Sequence, residues 1–369
     1  MNSTGLESPA AANTPGLSAP VHAADVSTDG HRETWHARRQ TGSGREWLHI
    51  ELSADGTSHG EAWSLFSDSL AAAVAEQTRN GRAIPDALAE RQPGEETPSL
   101  IAKGLIDAAR IDARCRQLSV PLHLWLGGAL RTEVAVTLPV RVGGATRGSR
   151  VTEIERQCER VRFAADMGVG SFSVHETSTE LHEIAELVAA VRSASGRAAR
   201  LALRLAGQLS DLEAGALLSM LSGYDVESLG DPCDTMRLNV QAVNGPLPAL
   251  GLSAWRYERP ALLHSLATSP PTTLFVDPML EGGLTATRQL SAVATVLQVD
   301  LALTSATGGW WLAAQCASLA AVLGSAHSPV ELPLSWTPAL LQALNLKDGA
   351  VTLDAIPRLS RLQGGPNQS

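Results

Sequence analysis

From Val134 onward the sequence carries a rhythm that few folds accommodate. Short apolar runs are centred near Thr137, Ser173, Leu203, Glu227, Leu250, Phe275, Ala302 and Val330. Between most of them lie Ala- and Leu-rich stretches with helical periodicity: Glu153 to Met167, Glu180 to Ser193, Asp211 to Leu221, Ala286 to Leu297 and Trp311 to Leu323. One strand-plus-helix unit per ~25–30 residues, repeated until eight strands are reached, is the arithmetic of a (β/α)8-type barrel. The competing arrangement is an open doubly wound sheet, whose first strand usually runs into a glycine-rich phosphate turn. Val142-Gly143-Gly144-Ala145 is not a GxGxxG sequence, which favours the barrel.

A different pattern precedes it. Trp47 to Glu51 alternates apolar and polar residues as a half-buried strand does, and Ala54-Asp55-Gly56 is a turn signal before a second strand over Ser58 to Trp63. Ser67 to Gln77 is Ala-rich and helical. Gly81 to Pro98, polar with three prolines, reads as a loop. Leu100 to Leu118 places Leu105, Ile106, Ala109, Ala113 and Leu118 at helical spacing, and Pro121 with Gly127-Gly128 ends that region. The expected organisation is a leader over 1–30, an α+β domain over 31–133, the barrel over 134–345, and a C-terminal segment and tail over 346–369. The leader, rich in Ala, Pro, Ser and Thr with neither a basic start nor an apolar run, is expected to be disordered rather than an export signal. Gln363 to Ser369 is expected to fray.

Composition narrows the partners. A net charge of −9 over 369 residues argues against a nucleic-acid or anionic-membrane surface, and no apolar run reaches the ~18–20 residues of a membrane span. Cys115, Cys158, Cys233 and Cys316 are scattered and form no CxxC pair, as expected of free thiols in a reducing cytosol. A cytoplasmic homo-oligomer acting on a small anionic molecule is the expectation.

Four stretches then resemble the mandelate racemase/muconate lactonizing enzyme branch of the enolase superfamily. Leu48 to Ala62 (LHIELSADGTSHGEA) is similar to the family's capping-domain hairpin, and Ala108 to Gly128 (AARIDARCRQLSVPLHLWLGG) to the segment that leads into its barrel. Val276 to Thr285 (VDPMLEGGLT) resembles the sixth barrel strand and Val330 to Pro333 (VELP) the eighth. The resemblance implies an α/β fold: a (β/α)7β TIM-type barrel with an N-terminal α+β capping domain, here shortened. It also implies proton abstraction beside a carboxylate, with Mg²⁺ held by carboxylates on strands three, four and five to neutralise the enediolate.

Position by position, this chain departs from that pattern. The family's Lys-x-Lys falls on Ser173-Val174-His175, and its three metal-ligand positions on Arg204, Gly230 and Leu252. Asp231, one residue on, and Glu227, three back, are the oxygen donors left near strand four. The strand-seven His falls on Thr304, while Asp277 and Glu331 remain. Mg²⁺ needs several oxygen ligands and an arginine repels it, so no metal or other cofactor is expected. The expected catalytic residues are His175, Asp277 and Glu331. Arg204, Ser173 and Thr304 are expected to bind substrate, Arg204 by gripping a carboxylate. Two functions follow. One is a metal-independent isomerase, cyclase or lyase moving a proton on a small organic acid. The other is a non-catalytic homologue that binds a ligand or stabilises a partner, with Arg204 closed on Asp277 or Glu331 as an internal ion pair.

Overall fold

A computed structural model describes residues 19–28, 31–42, 45–54, 58–79, 97–142, 147–233, 247–268, 270–346 and 348–357. Four strands open the chain: β1 (Ala19–Thr28), β2 (His31–Gly42), β3 (Arg45–Ala54) and β4 (Ser58–Leu65), paired antiparallel in that order. The two strands read around Trp47 and Ser58 are β3 and β4. The other two were not legible, and β1 corrects the expected leader, since Ala19–Thr28 pairs along its backbone with Arg39–His31. Residues 1–18 lie outside the described set, as do 80–96, which hold most of the Gly81 to Pro98 loop.

Helices α1 (Asp68–Arg79) and α2 (Thr97–Leu118) cover this sheet. The buried stripe of α2 contains Leu105, Ile106, Ala109 and Ala113, as its spacing requires, while Leu118 is exposed. The helix approaches β4 very closely at Gly60, where a β-carbon would lie 2.0 Å from the Ala109 carbonyl oxygen. A short helix, α3 (Leu122–Trp125), follows Pro121.

The barrel strands are β5 (Glu133–Arg141), β6 (Ser171–His175), β7 (Arg200–Arg204), β8 (Ser228–Gly230), β9 (Ala249–Ser253), β10 (Thr273–Val276), β11 (Asp300–Leu303) and β12 (Val330–Glu331). From β5 to β11 they pair in parallel, each with the next, and β12 pairs in parallel with β5. A single backbone bridge, Thr304 to Glu331, nearly completes the ring between β11 and β12. The intervening helices are α4 (Arg147–Asp166), α5 (Leu181–Ser195), α6 (Asp211–Leu221), α7 (Arg259–Thr268), α8 (Leu284–Val296) and α9 (Gly309–Val322), with α10 (Pro338–Leu344) after the last barrel strand. Local signals set several boundaries. Ser210 and Glu213 form a reciprocal capping box that starts α6 where the sequence reading placed it. Thr337 caps α10, with Pro338 in its first turn. A final strand, β13 (Ala350–Thr352), lies antiparallel to the start of β5, so part of the C-terminal segment belongs to the barrel's edge. Residues 358–369 lie outside the described set. Among the described residues no helix is long and apolar enough to cross a membrane.

Along each barrel strand alternate side chains face outward to the helices and inward to the axis. On β7, Leu201 and Leu203 are wholly buried against the helical layer. Arg200, Ala202 and Arg204 alternate with them and line the interior cavity. The capping sheet docks on the same end as the strand C-termini. The Leu65 amide donates to the Thr307 carbonyl at 3.0 Å, and Ser64 donates its hydroxyl to the same oxygen. Asp107 of α2 accepts from the Thr285 amide and hydroxyl at 3.0 and 2.7 Å.

Candidate functional site

Register brings the strand ends together. His175 pairs with Arg204, Arg204 with Gly230, and Gly230 with Gly251 across β6 to β9. Glu331 reaches this layer from β12. His175 Nε2 lies 2.8 Å from Glu331 Oε2, and Ser173 Oγ lies 3.2 Å from the same nitrogen. Arg204 Nη1 is 3.4 Å from both Glu331 oxygens, and its Nη2 donates to Ser253 Oγ at 3.3 Å. Asp231 accepts from both the amide and the hydroxyl of Ser253, the former at 2.9 Å. Asp231 holds φ at +46°, a left-handed conformation that an aspartate tolerates better than most residues. It turns the carboxylate sideways onto β9.

Arg204, Gly230 and Leu252, the positions at which the resemblance implied a metal, have aromatic and apolar surroundings. The Arg204 guanidinium lies over the Phe275 ring, 4.0 Å from its centroid, and 5.6 Å from the Trp255 ring. Gly230 and Gly251 make room for that phenyl. A β-carbon at either would lie 2.6 or 2.4 Å from Phe275 Cε2. Leu252 faces away and is buried in the apolar core. Glu227 pairs with Arg200 at 2.7 Å, at the opposite end of the strands. Among the described residues no three His, Cys, Asp or Glu side chains gather as a metal-ligating group. A guanidinium on an aromatic face, beside one serine-bound carboxylate, does not fit a divalent cation.

Electrostatics separates the two remaining family carboxylates. Burial raises Glu331, but the charges of His175 and Arg204, with hydrogen bonds from His175 and Ser173, outweigh it. They hold this carboxyl far below the usual carboxylate range. Asp277 is 0% exposed and meets only neutral donors: the Thr307 amide at 3.1 Å, the Thr307 hydroxyl, and the Met279 amide at 3.0 Å. Burial pushes it up to about 6 against those hydrogen bonds.

Above the layer is an open pocket of about 270 Å³. His175, Arg204, Thr304 and Glu331 line it, and so do Arg141 and Arg256, two cations that the sequence reading did not single out. Arg256 packs directly on Gly207, whose φ of +73° and missing side chain admit the guanidinium. Glu176 also lines the pocket but is committed to Arg150 at 2.6 Å. The structure thus gathers His175, Arg204, Glu331 and Thr304 at one pocket. Thr304 contributes there the backbone bridge that nearly closes the barrel. Ser173 touches His175 from below, on the side of the barrel interior. Asp277 does not line the pocket. It caps the turn after β10 and holds Thr307, the residue on which the capping sheet docks. Nor does Arg204 pair with it; the carboxylate partner of Arg204 is Glu331. Asp231, Ser253 and Phe275 were missed as a set. Their one sequence signal is the matching of a lone phenylalanine with two interior glycines on neighbouring strands, which becomes visible only once the register is known.

The family profile described as enolase C-terminal domain-like matches residues 153–358, more than half of the chain. The chain belongs to this family. The mandelate racemase-like protein has relatives among solved structures that share its fold. A mandelate racemase/muconate lactonizing enzyme from Sulfitobacter sp. superposes with a TM-score of 0.68 at 15% identity, over 90% of this chain and 91% of that one. An enolase from Bradyrhizobium complexed with magnesium and mandelic acid gives 0.67 at 16%, over 89% and 93%. An isomerase from Streptomyces coelicolor A3(2) gives 0.65 at 16%, over 84% and 88%. At such identities the likeness shows the fold alone. No curated protein sequence matches the chain.

Proposed function

We propose that this enolase-superfamily protein binds a small organic anion in the pocket above β6, β7 and β12 and moves a proton on it without a divalent ion. The observation that carries the reading is the 2.8 Å contact between His175 Nε2 and Glu331 at the floor of a pocket rimmed by Arg141 and Arg256. In its neutral form His175 donates its Nε2 proton to Glu331 and keeps a free lone pair on Nδ1. That lone pair is the general base, and Glu331 stabilises the imidazolium that forms when it takes a proton. The guanidinium groups supply the positive field that an enediolate or carboxylate requires, through hydrogen bonds that stay charged at any working pH. The Bradyrhizobium neighbour is complexed with magnesium and mandelic acid; in this reading Arg204, seated on Phe275, supplies positive charge at the pocket instead. Isomerisation, cyclisation and elimination all begin with this proton transfer.

A second reading has its own support. Arg204 already spends its hydrogen bonds on Glu331 and Ser253, which suits a homologue that binds an anion without turning it over. One experiment separates them. Small mono- and dicarboxylic acids with an acidic α-C–H are incubated with the protein in D2O containing EDTA, and both binding and α-deuteration are followed. Binding with deuteration, lost by ~10²-fold or more in His175→Asn, supports the enzyme. Binding alone supports the second reading. Deuteration that requires added Mg²⁺, or no carboxylate binding at all, overturns the proposal.

A further inference from the structure

The barrel interior below the ion pair is not filled. In barrels of this kind bulky branched side chains normally stack in layers along the axis. Here Ser171, Ser228, Ala202 and Ala249 face inward on successive strands and line a cavity of about 180 Å³. That is many times the ~10–15 Å³ one water molecule requires. Ala202 sits in the middle of β7 yet is only half-buried. The cavity reaches the strand N-termini, where the exposed Arg200 and Glu227 form an ion pair with both contacts at 2.7 Å. At its upper end it meets Ser173, Arg204 and Glu331, and the last two also line the substrate pocket above. A hydroxyl-lined cavity of this size, open at the base, fills with water.

We infer that this shaft is a second solvent route to the active layer, carrying protons between bulk water and the His175–Glu331 pair from the face opposite the substrate. Ser173 is the link. Its Oγ lies 3.2 Å from His175 Nε2 and lines the shaft rather than the pocket. The inference rests on the proton-transfer reading of the site. In the forward direction His175 Nδ1 takes the proton that the substrate carbon loses, and the C–H electron pair stays on the substrate. The imidazolium then gives its Nε2 proton to Ser173 Oγ as the Ser173 hydroxyl proton passes to a shaft water, which leaves as hydronium. His175 is then neutral with the substrate-derived proton on Nδ1, and the reverse transfer, from a shaft water through Ser173, restores the Nε2 proton. The shaft thus exchanges the Nε2 proton with bulk water and removes the excess positive charge while a bound anion closes the pocket above.

The test uses the full chain and reads solvent access rather than turnover. Ser228→Cys is treated with methyl methanethiosulfonate, a small neutral thiol reagent. The four native thiols are all buried and supply the background rate. Labelling at least tenfold above that background, unchanged by a carboxylate in the upper pocket, is the expected result. Labelling at the background rate means that the base is closed and overturns the inference. Ala202→Leu then plugs the shaft with a side chain typical of barrel interiors. In ¹⁵N-labelled protein with the carboxylate bound, exchange of the His175 ring N–H with water should slow tenfold or more. Unchanged exchange overturns the inference even if the label enters. Ser228→Val is the second plug should Ala202→Leu fail to fold. If carboxylates never bind, the proton-transfer reading fails on its own, while the labelling still reports whether the shaft is open.

Discussion

Two buried carboxylates, one at the end of β12 and one just after β10, have opposite fates in this barrel. Glu331 sits among a guanidinium, an imidazole and a serine, and its charge is favoured. Asp277 sits among a threonine and backbone amides, and burial presses it toward neutrality. Both are residues that the family resemblance carried over, and both are inaccessible or nearly so. What separates them is the partner set. An imidazole at 2.8 Å and a guanidinium at 3.4 Å make Glu331 part of a charged floor. Neutral donors make Asp277 a clasp that fixes Thr307, the docking point of the capping sheet. An acid at a strand end is thus informative about chemistry only after its neighbours are known.

The sharpest way to break the comparison is to remove the cation that defines one side of it. Arg204→Met should leave Glu331 without its guanidinium partner and lower stability at neutral pH by roughly 3–5 kcal/mol, the range for breaking a buried pair. Arg204→Met with Glu331→Gln should recover much of that loss in urea denaturation. A single variant as stable as the parent would show that Arg204 is not part of a structural pair.

The pH dependence of the two acids should slope in opposite directions. The folded Asp277 carboxyl is raised, so the folded state holds its proton longer than the unfolded state between about pH 4 and 6. Stability from this group is greatest at the acid end and falls as pH rises through that window, by about 3 kcal/mol at most. Glu331 is lowered, so its contribution is present above the unfolded value of about 4.3 and is lost as the solution becomes more acidic. Asp277→Asn should flatten the first slope and Glu331→Gln the second, read from urea midpoints between pH 3 and 8. If Asp277→Asn leaves the pH 4–6 stability profile unchanged, the clasp does not titrate as described.

A smaller effect sharpens the account of the packing around Phe275. Gly251→Ala should cost about 1–3 kcal/mol by overpacking against Phe275, because the added carbon lands 2.4 Å from the ring. Phe275→Leu in that background should relieve the clash while leaving Arg204 without its aromatic seat. No loss in Gly251→Ala would mean that the ring moves freely. The smallest expected effect is at the shaft's mouth. Arg200 and Glu227 are about half exposed, so Arg200→Gln should change stability by less than ~1 kcal/mol, and 1 M salt should erase the difference.

Much of the barrel was legible because its strands and helices announce themselves locally. Asp211 to Leu221 is apolar at helical spacing behind a serine cap, and the runs at Ser173, Leu250 and Phe275 are short and bounded. The first two strands of the capping sheet were not legible. Ala19–Thr28 and His31–Gly42 hold no sustained apolar alternation along the sequence, and the backbone pairing of β1 with β2 is seen only in the structure. At the site, His175, Arg204 and Glu331 could be named because single positions in a family pattern identify them. Asp231 and Ser253 could be paired only when β8 and β9 were laid side by side.

The sequence by itself determined the alternation of strand and helix, the family, and which residues, Arg204, Gly230 and Leu252, stand at the positions the resemblance points to, because each is written in residue type and spacing along the chain. Only the tertiary structure decided which acid meets which base. Asp277 and Glu331 are equally acidic as letters. Their roles come from register, which places Arg204 and His175 beside one and Thr307 beside the other. The same register puts Phe275 into the space that Gly230 and Gly251 leave empty, and leaves Ser and Ala facing an axis that larger side chains usually fill. Distances between strands decide these matters, since Coulomb attraction, hydrogen bonding and packing all act across angstroms that the linear chain does not encode locally.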